Sequence, residues 1–316
     1  MLDSVKSHGL NGCLFASPFD VSAALDPGEI REARAHADSL GLYLDAAVGQ
    51  INPYHFANRK DLLAAGDGDF RSGLERLIVA AREMGSDSVF FTIGALVDRF
   101  SRSVPWADQV AATTTFLKSL RPFLLDQGMR LDLKTHEEIT TDECVRMVET
   151  VGTDVMGIGL DQVNVLVRLE HPLAAARRVA PYCTRAFLSD ADLFFTPTGI
   201  ERKLRPLGDG IVDWPGTLAI LQAAGATPKL TVELHRGQFG MPIFDQTFMA
   251  SEPSIRIEEL AEVVRLTVLS EAKLADAGRP PREAYQVNVL ERLPATLAYL
   301  PTLLGVGQRP SVGVSA

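Results

Sequence analysis

Charged and polar side chains recur at the ends of short apolar runs in the sequence, and their types suit proton-transfer chemistry. They are Lys134, His136, Asp161, Asp190, Glu233 and His235. Imidazole titrates near neutrality, and burial can raise the pKa of a carboxylate toward the same range, so His136 and Glu233 are candidates for moving protons. The ammonium of Lys134 can hold a substrate oxygen as negative charge develops on it. This chemistry requires a fold that brings the side chains to one place.

The apolar runs that carry these residues follow a repeated order of helix, glycine and strand. An amphipathic helical stretch ends at a glycine, and a run rich in β-forming residues begins within a few positions. The predicted strands are residues 12–17, 43–49, 88–94, 130–135, 156–161, 184–190 and 229–235. The predicted helices between them are residues 29–40, 72–84, 106–127, 141–151, 172–180 and 214–224. This alternation predicts parallel strands joined by crossover helices.

An eight-stranded (β/α) barrel and an open doubly wound sheet both satisfy this alternation. The sequence contains no Gly-x-Gly-x-x-Gly after the first strand and no Gly-x-x-x-x-Gly-Lys-Ser/Thr, so no nucleotide crevice is marked. The candidate residues follow the strands at their carboxyl ends, which converge on one mouth in a barrel. We therefore predict a single (β/α)8 TIM-barrel domain over residues 1–316.

Two parts of this barrel depart from the simple pattern. Only seven strands are readable and the chain begins in a helical stretch, residues 2–8, so the first strand is predicted to be missing, atypical or supplied by a partner. Residues 237–316 are predicted to form a long loop over the mouth and closing helices at 257–277 and 284–299.

The charge of the chain favours a small substrate over a polyanion. Lysine and arginine number 31 against 40 aspartates and glutamates, which gives a net charge of −9. Proteins that bind nucleic acid or anionic membranes use a clustered basic surface, and the basic segments here are short. No basic region followed by an apolar stretch marks a secretory signal. We expect a cytoplasmic protein with no nucleic-acid or membrane partner.

Four segments of the sequence carry a family resemblance in their order along the chain. They are Leu-Asp-Leu-Lys-Thr-His-Glu-Glu at 131–138, Gly-Leu-Asp-Gln-Val-Asn at 159–164 with Glu-His-Pro at 170–172, Arg-Pro-Leu-Gly-Asp-Gly at 205–210 with Asp-Trp at 213–214, and Val-Glu-Leu-His at 232–235. Together they resemble the xylose-isomerase-like barrels, a superfamily of sugar phosphate isomerases and epimerases. The resemblance covers about residues 9–277 and implies a small sugar or keto-sugar as substrate.

The resemblance also implies a divalent metal, usually held by Glu, Asp, His and Glu, that polarises sugar oxygens while acid–base groups move a proton beside the carbonyl. Asp161 and Glu233 match the second and fourth of these ligand positions. Lys134 stands at the first position and Phe187 at the third, where the family usually has histidine. Half of the implied ligand set is therefore absent. We predict no cofactor, and Mn, Mg or Zn held by Asp161 and Glu233, with a nitrogen from His136, is the alternative.

The alternation of side chains along a strand places Asp132, Lys134 and His136 on one face. If that face lines the barrel, the Lys134 ammonium lies near Asp161 and Glu233 and competes with a metal for them. We predict Lys134, His136, Asp161 and Glu233 as the catalytic residues. A buried ion network without chemistry is one alternative for Lys134. A Schiff base is another, although nearby acids keep a lysine protonated and poorly nucleophilic.

Five further residues are predicted to bind substrate: His55, Arg185, Arg205, His235 and Arg236. His55 follows the second predicted strand, and the guanidinium groups of Arg205 and Arg236 can hold a carboxylate or phosphate through forked hydrogen bonds. Arg185 and His235 share the alternation of Phe187 and Glu233 on their strands and are expected to face the same interior.

Three classes of function agree with this pattern. The first is a sugar isomerase or epimerase that transfers a proton next to a carbonyl. The second is a lyase that uses the same enolisation to expel a β leaving group from an oxidised sugar or glycoside. The third is a non-catalytic sugar-binding protein or partner subunit. Members of the resembled family often form dimers or tetramers, which suggests a homo-oligomer.

Overall fold

Seven parallel strands form the wall of a nearly closed barrel. The structure, a computed structural model, describes residues 1–234, 236–277 and 289–305. Its strands there are β1 (Gly12–Phe15), β2 (Tyr43–Gln50), β3 (Ser88–Thr92), β4 (Arg130–Lys134), β5 (Met156–Asp161), β6 (Cys183–Leu188), β7 (Asp190–Thr196), β8 (Gly199–Arg205), β9 (Lys229–Val232) and β10 (Phe239–Met241). The barrel sheet has the order β1-β2-β3-β4-β5-β6-β9. The predicted TIM-barrel fold is confirmed.

Helices surround the strands in the alternating order that the sequence predicts. They are α1 (Leu2–Ser7), α2 (Pro27–Ser39), α3 (Lys60–Ala65), α4 (Phe70–Glu83), α5 (Leu96–Arg99), α6 (Trp106–Gln127), α7 (Thr141–Val151), α8 (Gln162–Val167), α9 (Pro172–Val179), α10 (Trp214–Ala223), α11 (Gln246–Ala250), α12 (Ile257–Ala277) and α13 (Leu293–Leu303). Short 3₁₀ turns lie at Pro18–Asp20, Pro53–Asn58, Ala180–Tyr182 and Val289–Arg292. No helix of these described parts is both long and apolar enough to cross a membrane.

Local capping explains why several predicted boundaries agree with the structure. The hydroxyl of Thr140 accepts the backbone N–H of Glu143, and the Glu143 side chain accepts the N–H of Thr140, so α7 begins with a capping box. Gly128 ends α6 with φ of 62°, in the left-handed region that glycine favours. The predicted helices 106–127, 141–151 and 257–277 and the strand 156–161 match the observed bounds.

The barrel sheet has two end strands. Within the described residues β1 pairs only with β2, and β9 pairs only with β6, both in parallel. Each has four residues, and all four residues of β9 are half-buried, whereas β5 is buried throughout. The described barrel therefore has seven strands rather than eight, in line with the seven strands that the sequence predicts.

A second sheet, which the sequence pattern does not predict, has strands on both sides of β9 in chain order: β7 and β8 lie between β6 and β9, and β10 follows β9. In it β7 and β10 pair antiparallel with the two sides of β8. The predicted strand 184–190 therefore ends at Leu188, because Asp190 begins the hairpin formed by β7 and β8. The predicted loop after residue 237 is wrong at Phe239–Met241, which is a strand.

The carboxylate of Asp190 holds the segment that follows this hairpin. It accepts backbone N–H groups of Gly208, Gly210 and Val212. The closing helix α12 agrees with the prediction. Of the helix predicted at 284–299, residues 284–288 lie outside the described residues, and α13 extends to Leu303.

Polar and aromatic side chains alternate in layers inside the barrel. Toward the amino ends of the strands, the Arg185 guanidinium lies 2.5 Å from Asp45 and 3.6 Å from Asp132, and all three side chains are buried. The rings of Phe90 and Phe187 pack edge to face above them, with centroids 5.0 Å apart. The next polar layer, toward the carboxyl ends, contains the candidate site.

We predict that Arg185 stabilises the fold. The Arg185→Met substitution leaves the buried Asp45 carboxylate without its closest charged partner, and breaking a buried ion pair costs about 3–5 kcal/mol. We expect urea unfolding followed by circular dichroism to show a loss of this size. The matched control is Lys229→Met, because Lys229 also contacts Asp45, at 3.4 Å, but is 31% exposed. The free energy of unfolding of Lys229→Met should be lower than that of the wild type by less than about 1 kcal/mol. Equal losses in the two variants would contradict this role of Arg185.

Candidate active site

Lys134, Asp161 and Glu233 meet at the carboxyl ends of β4, β5 and β9. The Nζ atom of Lys134 lies 2.6 and 2.5 Å from the two carboxylate oxygens of Glu233 and 3.1 Å from Oδ2 of Asp161. Lys134 and Asp161 are buried, whereas the Glu233 side chain is 27% exposed. The register explains this meeting, because Lys134 pairs with Gly159 on β5 and the N–H of Glu233 donates to the carbonyl of Leu188, the last residue of β6.

The Asp161 carboxylate is fixed by neutral donors on two sides. Ser189 donates its hydroxyl to Oδ1 at 3.0 Å, and Asn164 donates its amide Nδ2 to Oδ2 at 3.0 Å. The backbone N–H of Asp161 donates to the hydroxyl of Thr135 at 2.7 Å, which joins the ends of β4 and β5. All of these groups are buried, so the position of the Asp161 carboxylate is fixed.

The aromatic layer forms the floor under Lys134. Its Nζ lies 4.4 Å from the ring centroid of Phe187 and 5.9 Å from that of Phe90, within cation–π distance. Burial by itself would lower the pKa of Lys134, but the charges of Glu233 and Asp161 outweigh burial and raise the pKa above its ordinary value. Lys134 is therefore an ammonium at neutral pH and lacks the free lone pair that a Schiff base requires.

His136 lies between two carboxylates just beyond the end of β4. Its Nδ1 is 2.5 Å from Glu138 and its Nε2 is 2.8 Å from Glu137. The N–H of Gly94 donates to the other oxygen of Glu138, which ties this group to the loop after β3. Burial of the ring lowers the pKa of His136, but the two carboxylates reverse that effect and raise it to about 10. The imidazole is therefore protonated at neutral pH, which makes His136 a fixed cation and a poor proton acceptor.

The described donor set does not fit the metal that the family resemblance implies. A hard divalent ion seeks more oxygen ligands than the carboxylates of Asp161 and Glu233 supply. The Lys134 ammonium already lies between these carboxylates, and the Phe187 ring, which has no ligand atom, faces it. His136, Glu137 and Glu138 also lie close enough to share an ion. There, however, the raised pKa of His136 means that a proton competes with the metal for the ring nitrogen.

The structure places the predicted substrate-binding residues in several locations. Arg185 is in the layer below the phenylalanines and does not contact the Lys134 cluster. His55 lies on the Pro53–Asn58 turn at the mouth, with Nε2 3.4 Å from Asp98. Arg205 lies on the second sheet, 3.2 Å from Asp192. Arg236 is exposed, and His235 lies outside the described residues.

The sequence pattern predicts no role for several residues that the structure places at the site. Asn164 and Ser189 carry a signal that could have been found, because Asn164 follows Asp161 by one helical turn and Ser189 continues the alternation of Phe187. Arg202, whose guanidinium donates to Asn164 at 3.0 Å, carries none, because it belongs to the unpredicted second sheet.

Comparisons with known proteins agree with the barrel architecture. A family model described as "Xylose isomerase-like TIM barrel" matches residues 2–264. The D-psicose 3-epimerase of Clostridium cellulolyticum H10, solved with D-tagatose, is 14% identical, with a TM-score of 0.58 over 85% of this chain and 92% of that chain. A xylose isomerase-like TIM barrel protein from Mycobacterium smegmatis, solved with magnesium, is 19% identical, with a TM-score of 0.56 over 85% of this chain and 87% of that chain. At these identities the likeness shows the fold.

One curated relative matches in sequence. The uncharacterized protein YihM of Escherichia coli K12 is 22% identical over 155 residues, which is 49% of this chain and 45% of the relative. The match spans less than half the length of either protein.

We predict that His136 stays protonated well above neutral pH. Because its folded pKa of about 10 exceeds the unfolded value of 6.5, its contribution to stability is complete below pH 6.5 and is lost as the pH rises through about 10. The ring protons of His136 should therefore keep their imidazolium NMR shifts up to about pH 8, with the signal assigned by its loss in His136→Asn. The difference in unfolding free energy between wild type and this variant should shrink from pH 6.5 toward 10. Titration of the His136 ring with a midpoint near pH 6.5 would show that the ring is not held as a cation between Glu137 and Glu138.

Proposed function

The chain belongs to the xylose isomerase-like TIM barrel family, and we propose that it is a sugar isomerase or epimerase that moves a proton next to a carbonyl without a metal. The observation that carries this proposal is the buried Lys134 ammonium within 3.1 Å of both Asp161 and Glu233 at the carboxyl ends of three strands. In a barrel these ends form the catalytic face.

The different burial of Asp161 and Glu233 suggests different roles for them beside Lys134. Asp161 is fully buried and fixed by Ser189 and Asn164, so it holds Lys134 in place. Glu233 is partly exposed, so it is the partner that a substrate oxygen can displace from Lys134. Displacement frees one N–H of the ammonium for the substrate and one carboxylate for a proton.

The step balances within this set of groups. Glu233 takes the proton from the carbon next to the carbonyl, and the electron pair moves to the carbonyl oxygen, where the Lys134 ammonium stabilises the negative charge. Return of the proton to the former carbonyl carbon, with transfer of the hydroxyl proton from the neighbouring oxygen to the enolate oxygen, gives the isomer. Reprotonation of the same carbon on its other face gives the epimer. The low polarity of the phenylalanine floor strengthens the attraction between ammonium and enolate oxygen.

A β-eliminating lyase is the second candidate. The same enolate can expel a leaving group, and His136, held protonated between Glu137 and Glu138, is an acid near the mouth that can protonate such a group. Analysis of the products from a panel of keto-sugars and oxidised glycosides separates the candidates. Isomers retain every atom of the substrate, whereas elimination yields two molecules.

The proposed roles are tested by proton exchange with solvent. We expect Lys134→Met and Glu233→Gln to lower deuterium incorporation next to the carbonyl of a keto-sugar by about 10³-fold or more, because each removes a group used in the transition state. Mass spectrometry measures the exchange. Lys203→Met is the matched control, because Lys203 is also a buried lysine but pairs with Glu201 on the second sheet. Full exchange in both site variants would reject the proposed chemistry and favour a non-catalytic binding protein.

Metal dependence is tested on protein purified without chelators. Because the Lys134 ammonium lies between the two carboxylates, we expect elemental analysis to find far less than one equivalent of Mn, Mg or Zn. Prolonged treatment with a chelator should leave the exchange rate unchanged. One bound equivalent whose removal abolishes exchange would show that a metal, and not Lys134, supplies the positive charge.

A further inference from the structure

Arg202 connects the second sheet to the candidate active site. It lies on β8, in the middle of the second sheet, and its side chain is fully buried although it carries a charge. Burial of a guanidinium is costly unless its N–H groups are hydrogen-bonded. The hydrogen-bond partners of Arg202 therefore indicate its role.

The guanidinium of Arg202 has partners on two segments that are distant in the chain. Its Nη1 donates to Oδ1 of Asn164 at 3.0 Å and to the carbonyl of Val163 at 2.9 Å. Its Nη2 donates to the carbonyl of Gly237 at 2.6 Å, and its carbon lies 4.9 Å from the ring centroid of Phe239. One side chain therefore joins the start of α8 to the segment that follows β9.

The direction of these hydrogen bonds determines which way the Asn164 amide faces. An amide has an accepting oxygen and a donating nitrogen, and turning it over exchanges them. A guanidinium only donates, so its contact with Asn164 selects the orientation with Oδ1 toward Arg202. The Nδ2 group must then face the carboxylate of Asp161, to which it donates at 3.0 Å. In the opposite orientation, Oδ1 would lie against that carboxylate.

The oxygen of Asp161 that Asn164 contacts is also the one nearest Lys134. Oδ2 of Asp161 accepts the Asn164 amide at 3.0 Å and lies 3.1 Å from Nζ of Lys134. A turned amide would repel Oδ2 and move the partner that keeps the ammonium in place.

We propose that Arg202 is a positioning residue, which orients the Asn164 amide and thereby fixes the Asp161 carboxylate that holds the Lys134 ammonium. This inference rests on the proposed function for its effect on rate. Arg202 acts through Asn164 and does not touch the reacting atoms. The second sheet is then a functional part of the active site.

A double-mutant cycle tests whether Arg202 acts through Asn164. We expect Arg202→Met and Asn164→Ala each to lower kcat for proton exchange by about tenfold or more, with a smaller change in KM. The double variant should lose no more than the worse single variant, because both changes remove the same interaction. Losses that multiply, or an unchanged kcat in Arg202→Met, would overturn the proposal.

Lys203→Met, which alters the neighbouring buried cation of β8, is the control, with wild-type kcat expected. Should Arg202→Met fail to fold by circular dichroism, Arg202→Lys replaces it in the cycle, because a lysine donates to Asn164 from one atom instead of a rigid fork. The same non-multiplying pattern is expected with this variant, and multiplying losses would overturn the proposal there too.

A measurement without substrate separates this inference from the proposed function. In protein labelled with ¹⁵N-lysine, the ammonium signal of Lys134, assigned by its loss in Lys134→Met, reports the geometry at Asp161. We expect this signal to shift in Arg202→Met and Asn164→Ala and to stay in place in Lys203→Met. An unmoved signal in Arg202→Met would overturn the positioning role. If the wild type exchanges no proton on any sugar while the signal shifts, the proposed function fails and the positioning role stands.

Discussion

The charge of the Lys134 ammonium is the constraint on which the rest of the site depends. It lies between two carboxylates and above an aromatic ring, and each neighbour keeps it protonated and in place. A buried cation of this kind is costly unless its partners are fixed, so the carboxylates need their own support. Ser189 and Asn164 supply this support for Asp161, whereas Glu233 remains partly exposed. The difference between one fixed and one accessible carboxylate follows directly from this packing.

The same rule of paired charges governs the interior above and below the site. Arg185 balances Asp45 and Asp132 below the phenylalanines, and His136 is balanced by Glu137 and Glu138 beyond the end of β4. The two layers differ in access, because the lower one is buried and the His136 ring is 22% exposed. Solvent exposure, more than residue type, distinguishes the charged groups that stabilise the barrel from those that a substrate can reach.

Most of the barrel could be predicted from the sequence because its signals are local. A glycine after an amphipathic stretch and an apolar run of five or six residues mark α6 and β5 without knowledge of the rest of the chain. The second sheet escaped prediction because β6 and β7 are separated only by Ser189, so the strand and the hairpin read as one apolar run. Its remaining strand, β10, has only three residues.

The site could be predicted only in part for a related reason. Strand alternation and a family resemblance brought Lys134, Asp161 and Glu233 together, but the charge state of His136 depends on where Glu137 and Glu138 point. That orientation is set by partners far along the chain, such as Gly94. The strand alternation correctly predicts that Arg185 faces the barrel interior. It does not predict that Arg185 lies below the phenylalanines, nearer the amino ends of the strands than the Lys134 cluster.

The guanidinium that joins β8 to Asn164 limits how this barrel can be recombined with others. A sheet attached to a barrel through loops is often regarded as a part that can be exchanged between related proteins. Here the Arg202 guanidinium of the second sheet donates to the amide oxygen of Asn164 at the start of α8, about 40 residues earlier in the chain. A chimera that inherits Arg202 without Asn164, or Asn164 without Arg202, contains a buried polar group that lacks its hydrogen-bond partner. Ancestral shuffling would therefore transmit these two positions as a linked pair.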